Sequence, residues 1–290
     1  MTKIKLYVSK HPILFGLGIA VLFSLIIVFP VKNIFMAISG QNELTLKTKY
    51  ILGFIQRLFG LLVCIFLLFK LGYSKVLKFG TGSSIKMMAV IWPALILIFF
   101  NLPYDLMFEG KYTPDIALLL PLLLRVTGVG LIEEFFFRGL ILSIFLSVWA
   151  VGKTGIYKSV IFSSILFGIV HLINLLNILK GQDILVETIS QIFYAFFLGI
   201  FFAAVYLRTQ NIWISVIIHT LFNLADDLSD ITLKVTQTTA IAGTVVPTSI
   251  SDAVLNAALA LPYALFGLYI LRKVVIESDQ SERYEHLSIK

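Results

Sequence analysis

Two adjacent glutamates and an arginine, Glu133-Glu134-Phe-Phe-Phe-Arg138, stand inside a long apolar run. Two of the four histidines, His171 and His219, stand inside two others. An ionisable group in a membrane span costs about 2.5–3.5 kcal/mol on insertion scales, so each needs a partner or a chemical task. Glu134 and Arg138 are four residues apart, the spacing of an intrahelical ion pair. Adjacent helical residues point about 100° apart, so Glu133 faces elsewhere and is left as the carboxylate suited to general-base work. His219 and Asn223 are also four apart and share a helix face. His171 follows Phe167 at the same interval. Glu and His activate water, while His and Asn donate to an oxyanion. The same residue types also ligate zinc: Glu133, His171 and His219 are enough for an open catalytic zinc site, and equally compatible with none. A purely structural reading stands beside these, in which the charges form a salt-bridge network at a helix end and each histidine bonds a neighbouring helix.

The elements that must position these residues are read from the apolar pattern. The chain has 290 residues, 59% of them apolar and 13% charged. Its mean hydropathy is +0.97. Soluble domains are about 45–50% apolar and roughly 25% charged. The balance excludes a disordered chain, a basic nucleic-acid-binding domain and most soluble enzymes, and it names the lipid bilayer as solvent. Eight apolar runs approach the ~20 residues that a spanning helix needs: 12–38, 50–72, 87–103, 115–138, 158–179, 184–207, 210–226 and 251–273. The third and seventh are short. The expectation is an all-α polytopic transmembrane helical bundle of about eight spans, with 1–290 as one membrane domain and 115–226 as its catalytic core.

Fifteen Lys and Arg fall in the segments on the side of the N-terminus and six on the other side, which predicts both termini in the cytoplasm. Residues 227–250 form the longest polar segment, an outer loop, and 277–290 a polar cytoplasmic tail. The first run is longer than the ~7–15-residue core of a signal peptide and reads as an uncleaved span. The single cysteine, Cys64, excludes an intrachain disulfide and reads as packing. Arg57 and Arg125 fall within spans and either pair with carboxylates or snorkel. Glu187 and Gln191 are four apart and either line the same cavity or, as the favoured reading, serve as packing or supporting groups. Gly199 and Ala203 have small-xxx-small spacing, which reads as helix packing. One depth mismatch stands out. A fourth span ending at Arg138 leaves Glu133 only ~7 Å deep, against ~20 Å for His171 and ~14 Å for His219. Residues 139–149 remain apolar, and a helix continued to Trp149 brings Glu133 to the level of the histidines.

The three patterns together resemble the CPBP intramembrane proteases, also called CAAX prenyl-protease-related or Abi proteins. That family is marked by Glu-Glu-x-x-x-Arg, then Phe-x-x-x-His, then His-x-x-x-Asn on successive helices. Here they are Glu133-Glu134-Phe-Phe-Phe-Arg138, Phe167-Gly-Ile-Val-His171 and His219-Thr-Leu-Phe-Asn223, in that order and in apolar context. The resemblance covers about 125–225. It implies an endopeptidase acting on a membrane-associated protein or peptide, with Glu133 activating water, His171 assisting, His219 with Asn223 stabilising the oxyanion, and Glu134 with Arg138 holding the motif in place. It leaves open a metalloprotease with zinc on Glu133, His171 and His219; the compact chain without targeting extensions favours a bacterial plasma membrane. No nucleic-acid partner is expected, and the sequence does not set an oligomeric state. Two other readings use the same residues: a non-proteolytic peptide-binding or immunity protein, and a small transporter or proton relay. The transporter reading lacks the inverted repeat that many transporters carry.

Overall fold

In a computed structural model, residues 3–78, 84–110, 113–150, 152–180, 184–232 and 249–274 are described. The polar tail 277–290 and most of the outer loop 227–250 lie outside them. The described residues form helices α1 (Lys3–Lys10), α2 (Pro12–Val28), α3 (Val31–Ser39), α4 (Leu46–Leu71), α5 (Ser84–Phe100), α6 (Tyr104–Phe108), α7 (Ile116–Glu134), α8 (Leu142–Trp149), α9 (Gly152–Ile169), α10 (Leu185–Thr209), α11 (Ile212–Asp227) and α12 (Ile250–Leu271). The only β-type pairing among them is an isolated bridge between Pro114 and Thr232. The molecule is a polytopic helical bundle. Six stretches are long and apolar enough to cross a membrane: Pro12–Ser39, Leu46–Leu71, Ile116–Trp149, Gly152–Ile178, Leu185–Thr209 and Ile250–Leu271. Helix α11 has 16 residues and is shorter than these.

Local sequence signals set the helix ends. Thr45, Asp115, Asn211 and Ser249 each accept a backbone N–H with the side chain at the N-terminus of α4, α7, α11 and α12. Gly72 closes α4 in the left-handed conformation, with a φ of 85°. The run 12–38 is not one rod, because Pro30 interrupts it. Pro30 has no N–H, so the carbonyl of Ile26 loses its helical partner. Gln56 of α4 fills the gap, its Nε2 lying 2.7 Å from the carbonyls of Ile26 and Ile27 and 3.0 Å from that of Phe29.

The centre of the bundle is the rod from Ile116 to Trp149, which passes from α7 into α8 through a π-helical stretch, Phe135–Ile141. The boundary at Arg138 is therefore superseded by the longer alternative. The 34-residue rod puts Glu133 about 25 Å from either end. Every residue from Glu134 to Leu146 is buried, so this part of the rod is covered on all sides by other helices. Helix α4 packs along α7, α11 crosses α7, and α10 lies between α9 and α12. In the π stretch the N–H of Leu142 bonds the carbonyl of Phe137, five residues back. Such single π turns recur at functional sites. Here the stretch begins directly after Glu134.

Close helix approach depends on missing side chains. A Cβ built on Gly168 of α9 meets the carbonyl oxygen of Ile192 at 2.7 Å and Cβ of Phe196 at 3.3 Å. The opposing atom is α10 backbone, which cannot rotate away. Gly168→Ala is expected to lower stability by about 1–3 kcal/mol, because overpacking outweighs a helix-propensity gain of at most about 1 kcal/mol. Gly18→Ala, whose Cβ meets nothing within 4 Å, is expected to be neutral or stabilising. Thermal unfolding of the two purified variants in one detergent checks the contrast.

Candidate active site

The charged motif is built around one buried oxygen. Oε1 of Glu134 accepts from Arg138 Nη1 at 2.9 Å and from His219 Nδ1 at 2.9 Å. The first contact is the i,i+4 pair read from the sequence. The second joins the central rod to α11. Arg138 also donates through Nη2 to the carbonyl of Gly199 on α10 at 3.3 Å. Its guanidinium lies 4.3 Å from the ring centre of Phe167 on α9 and 5.4 Å from that of Phe202 on α10. Both residues of the pair are buried, Glu134 with no exposed surface. The imidazole of His219 stacks on Phe202, with ring centres 5.1 Å apart and a 21° interplanar angle.

The hydrogen bonds also fix which ring nitrogen of each histidine carries a proton. Glu134 Oε1 is held by a guanidinium and accepts from His219, so Nδ1 of His219 is the donor. Its Nε2 then points at Glu133, 3.6 Å from Oε2. Adjacent glutamates on one rod therefore reach opposite edges of a single imidazole. They have different faces, as the helical angle requires, but a shared partner that spacing alone does not reveal. His171 stands two residues past the end of α9, in the 3₁₀ segment Val170–Lys180. Its Nδ1 lies 2.9 Å from the carbonyl of Phe167. A carbonyl only accepts, so Nδ1 carries the proton and the neutral ring keeps a lone pair on Nε2.

A cavity of about 610 Å³ receives Glu133, His171, His219 and Asn223 together. Glu133 is partly open to it, its side chain 17% exposed. Glu134 and Arg138 are not among the cavity-lining residues and sit behind it. Glu187 and Gln191 line the cavity as well, and Gln191 accepts from Asn174 at 2.7 Å. Arg125 pairs with Asp227 at 3.0 Å, which takes the pairing alternative for that residue. Arg57, which the sequence placed within a span as either paired or snorkelling, lines the cavity as well. Nothing in the motif spacing announces Gly199 or Phe202, although a glycine and a phenylalanine on a helix opposite a buried arginine are the only local cues. Gly199 does serve packing as read, since its built Cβ meets Cβ of Ser164 on α9 at 3.0 Å.

Zinc was one expectation for Glu133, His171 and His219. Among the described residues no three His, Cys, Asp or Glu side chains come close enough to hold one ion. The trio as arranged does not fit that metal.

Residues 115–225 match the family of Rce1-like proteins, described as type II CAAX prenyl endopeptidase Rce1-like. No curated protein and no solved structure matches the chain. The matched stretch carries all three motifs, so the likeness to the CPBP/CAAX proteases is shown, over well under half of the chain. It supports a hydrolase of the peptidase type, in a multi-pass membrane protein with a bilayer around it and a peptide or protein as substrate.

The two glutamates have separable roles. Arg138→Met strands the Glu134 carboxylate in the core and is expected to cost about 3–5 kcal/mol. Glu133→Gln keeps the size of a side chain that opens on a cavity and is expected to cost less than about 1 kcal/mol. Thermal unfolding and the amount of folded protein in the membrane fraction measure both.

Proposed function

We propose that the protein is a membrane-embedded endopeptidase that cuts a membrane-associated protein or peptide with water activated by Glu133. The observation that carries this is the convergence of Glu133, His171, His219 and Asn223, from three separate elements, on one cavity. The family match over the same residues supports it.

In this mechanism the Glu133 carboxylate takes a proton from water as the water oxygen attacks the carbonyl carbon of the scissile bond. Nε2 of His171, with its lone pair free, holds the water through a second hydrogen bond. The tetrahedral intermediate places its negative oxygen against Nε2–H of a protonated His219 and the side-chain amide of Asn223. Glu134 holds that ring in place by accepting from its Nδ1. Collapse of the intermediate breaks the C–N bond, and the proton held by Glu133 passes to the leaving amine. Arg138 touches no reacting atom. It neutralises Glu134 and ties the rod to α10. The Lys and Arg asymmetry supports both termini in the cytoplasm.

Glu133→Gln is expected to reduce cleavage by a factor of about 10²–10⁴, the range for a general base. Asn223→Ala is expected to reduce it by about 10²–10³, as for loss of one oxyanion donor. Peptide mass spectrometry of whole membranes, wild type against Glu133→Gln at equal protein level, reads the first. Identical peptide profiles remove the proteolytic reading and leave a binding or immunity role on the same scaffold. Chelation of the purified protein, with metal analysis alongside, reads whether activity depends on a bound metal.

A further inference from the structure

One cation in the cavity, Arg57, has no carboxylate within ion-pair distance among the described residues. Arg57 is the twelfth residue of the 26-residue helix α4, about 17 Å from its start and about 21 Å from its end. A side chain that deep does not reach an interface by snorkelling. Its Nη1 donates to the carbonyl of Gly53, one turn back on its own helix, at 2.9 Å. Its Nε is buried without a hydrogen-bond partner. Among the described residues it makes no ion pair. A guanidinium has five N–H donors, and most of these are unused. Intramembrane charges ordinarily pair with one another, and Arg125 does so with Asp227 at 3.0 Å. The other acidic residues of the cavity wall, Glu133, Glu187 and Asp226, do not come within salt-bridge distance of Arg57.

The position of this charge is defined by Gly128 on α7. A Cβ built there meets Cβ of Arg57 at 3.3 Å and Cδ at 3.4 Å, so the arginine stem lies across the glycine. Gly128 precedes Glu133 by five residues, about 7.5 Å of helix rise. Arg125 is three residues before Gly128 and lies on the same side of the rod, which adds a second guanidinium at this end of the cavity. About two residues of extended peptide bridge 7 Å.

We propose that Arg57 binds a carboxylate of the substrate inside the cavity and thereby sets which peptide bond lies over Glu133. This rests on the proteolytic reading for its consequence, but the binding itself does not. A carboxylate on a peptide comes from its C-terminus or from an Asp or Glu side chain, and both match the planar two-point geometry of a guanidinium. Arg57 is a binding and positioning residue. It donates no proton in the reaction.

The test uses the full chain in lipid nanodiscs and three short probes: acetyl-Leu-Leu-Leu with a free carboxylate, the same peptide as its amide, and acetyl-Leu-Glu-Leu amide. Dissociation constants are measured by calorimetry for wild type, Arg57→Gln and Arg57→Lys. The wild type is expected to bind at least one of the two acids about ten- to a hundredfold more tightly than the neutral amide, as for a charge-assisted hydrogen bond. Arg57→Gln is expected to lose that preference, and Arg57→Lys to keep part of it. Which acid is preferred identifies the terminal or side-chain source. The ratio is taken within each variant, so a smaller folded fraction does not imitate the result. Equal affinity for all three probes, preference retained in Arg57→Gln, or no binding by the wild type overturns the proposal. A protein that discriminates acid from amide yet cleaves nothing keeps Arg57 and discards proteolysis. One that cleaves but does not discriminate does the reverse.

Discussion

A single carboxylate oxygen near the middle of the central rod sets the constraint on which the site depends. Glu134 Oε1 accepts from both Arg138 and His219, in surroundings with no exposed surface. A lone carboxylate there is prohibitively costly, because no water compensates its charge. Once Arg138 neutralises it, the arginine itself needs acceptors and π faces, which Gly199, Phe167 and Phe202 supply. One ionic contact therefore holds the central rod against α9, α10 and α11. Replacing such a network with apolar residues need not weaken a fold, whereas removing one partner does. The charges are thus better explained by the site they orient than by the stability they add.

That orientation is a chain of protons assigned by acceptors. Glu134 takes the Nδ1–H of His219, and the Phe167 carbonyl takes that of His171. Both rings are left presenting Nε2, and the neighbouring glutamate, Glu133, faces one of them across 3.6 Å. The two glutamates differ in burial more than in position. The enclosed one has Oε1 committed to Arg138 and His219, while the partly open one faces the cavity.

The bundle makes room for water in an apolar protein by two means. Glycines let backbones approach where helices must cross, as at Gly168 against α10. The cavity between α4, α7, α10 and α11 is lined by asparagine, glutamine and charged groups, so it is polar enough to be wet. The longest 3₁₀ segment among the described residues, Val170–Lys180, follows directly on α9 and carries His171. This geometry is weaker per residue than an α-helix and is usually brief, so the segment is a point of low local stability beside the site.

The sequence by itself determined that the chain is helical and membrane-embedded, because hydropathy and run length act locally. It also determined the Glu134–Arg138 pair and the shared face of His219 and Asn223, because a four-residue interval on a helix fixes neighbourhood without reference to the rest of the molecule. The apolar stretch after Arg138 even allowed the rod to reach Trp149. Only the tertiary structure decided that His219 bridges both glutamates, that the Gly199 carbonyl accepts from Arg138, and that Arg125 pairs with Asp227 while Arg57 makes no ion pair among the described residues. Those relations join residues far apart in the chain, and their distances are set by how helices cross. Helix crossing depends on side-chain volumes at every contact along both rods, which periodicity does not encode.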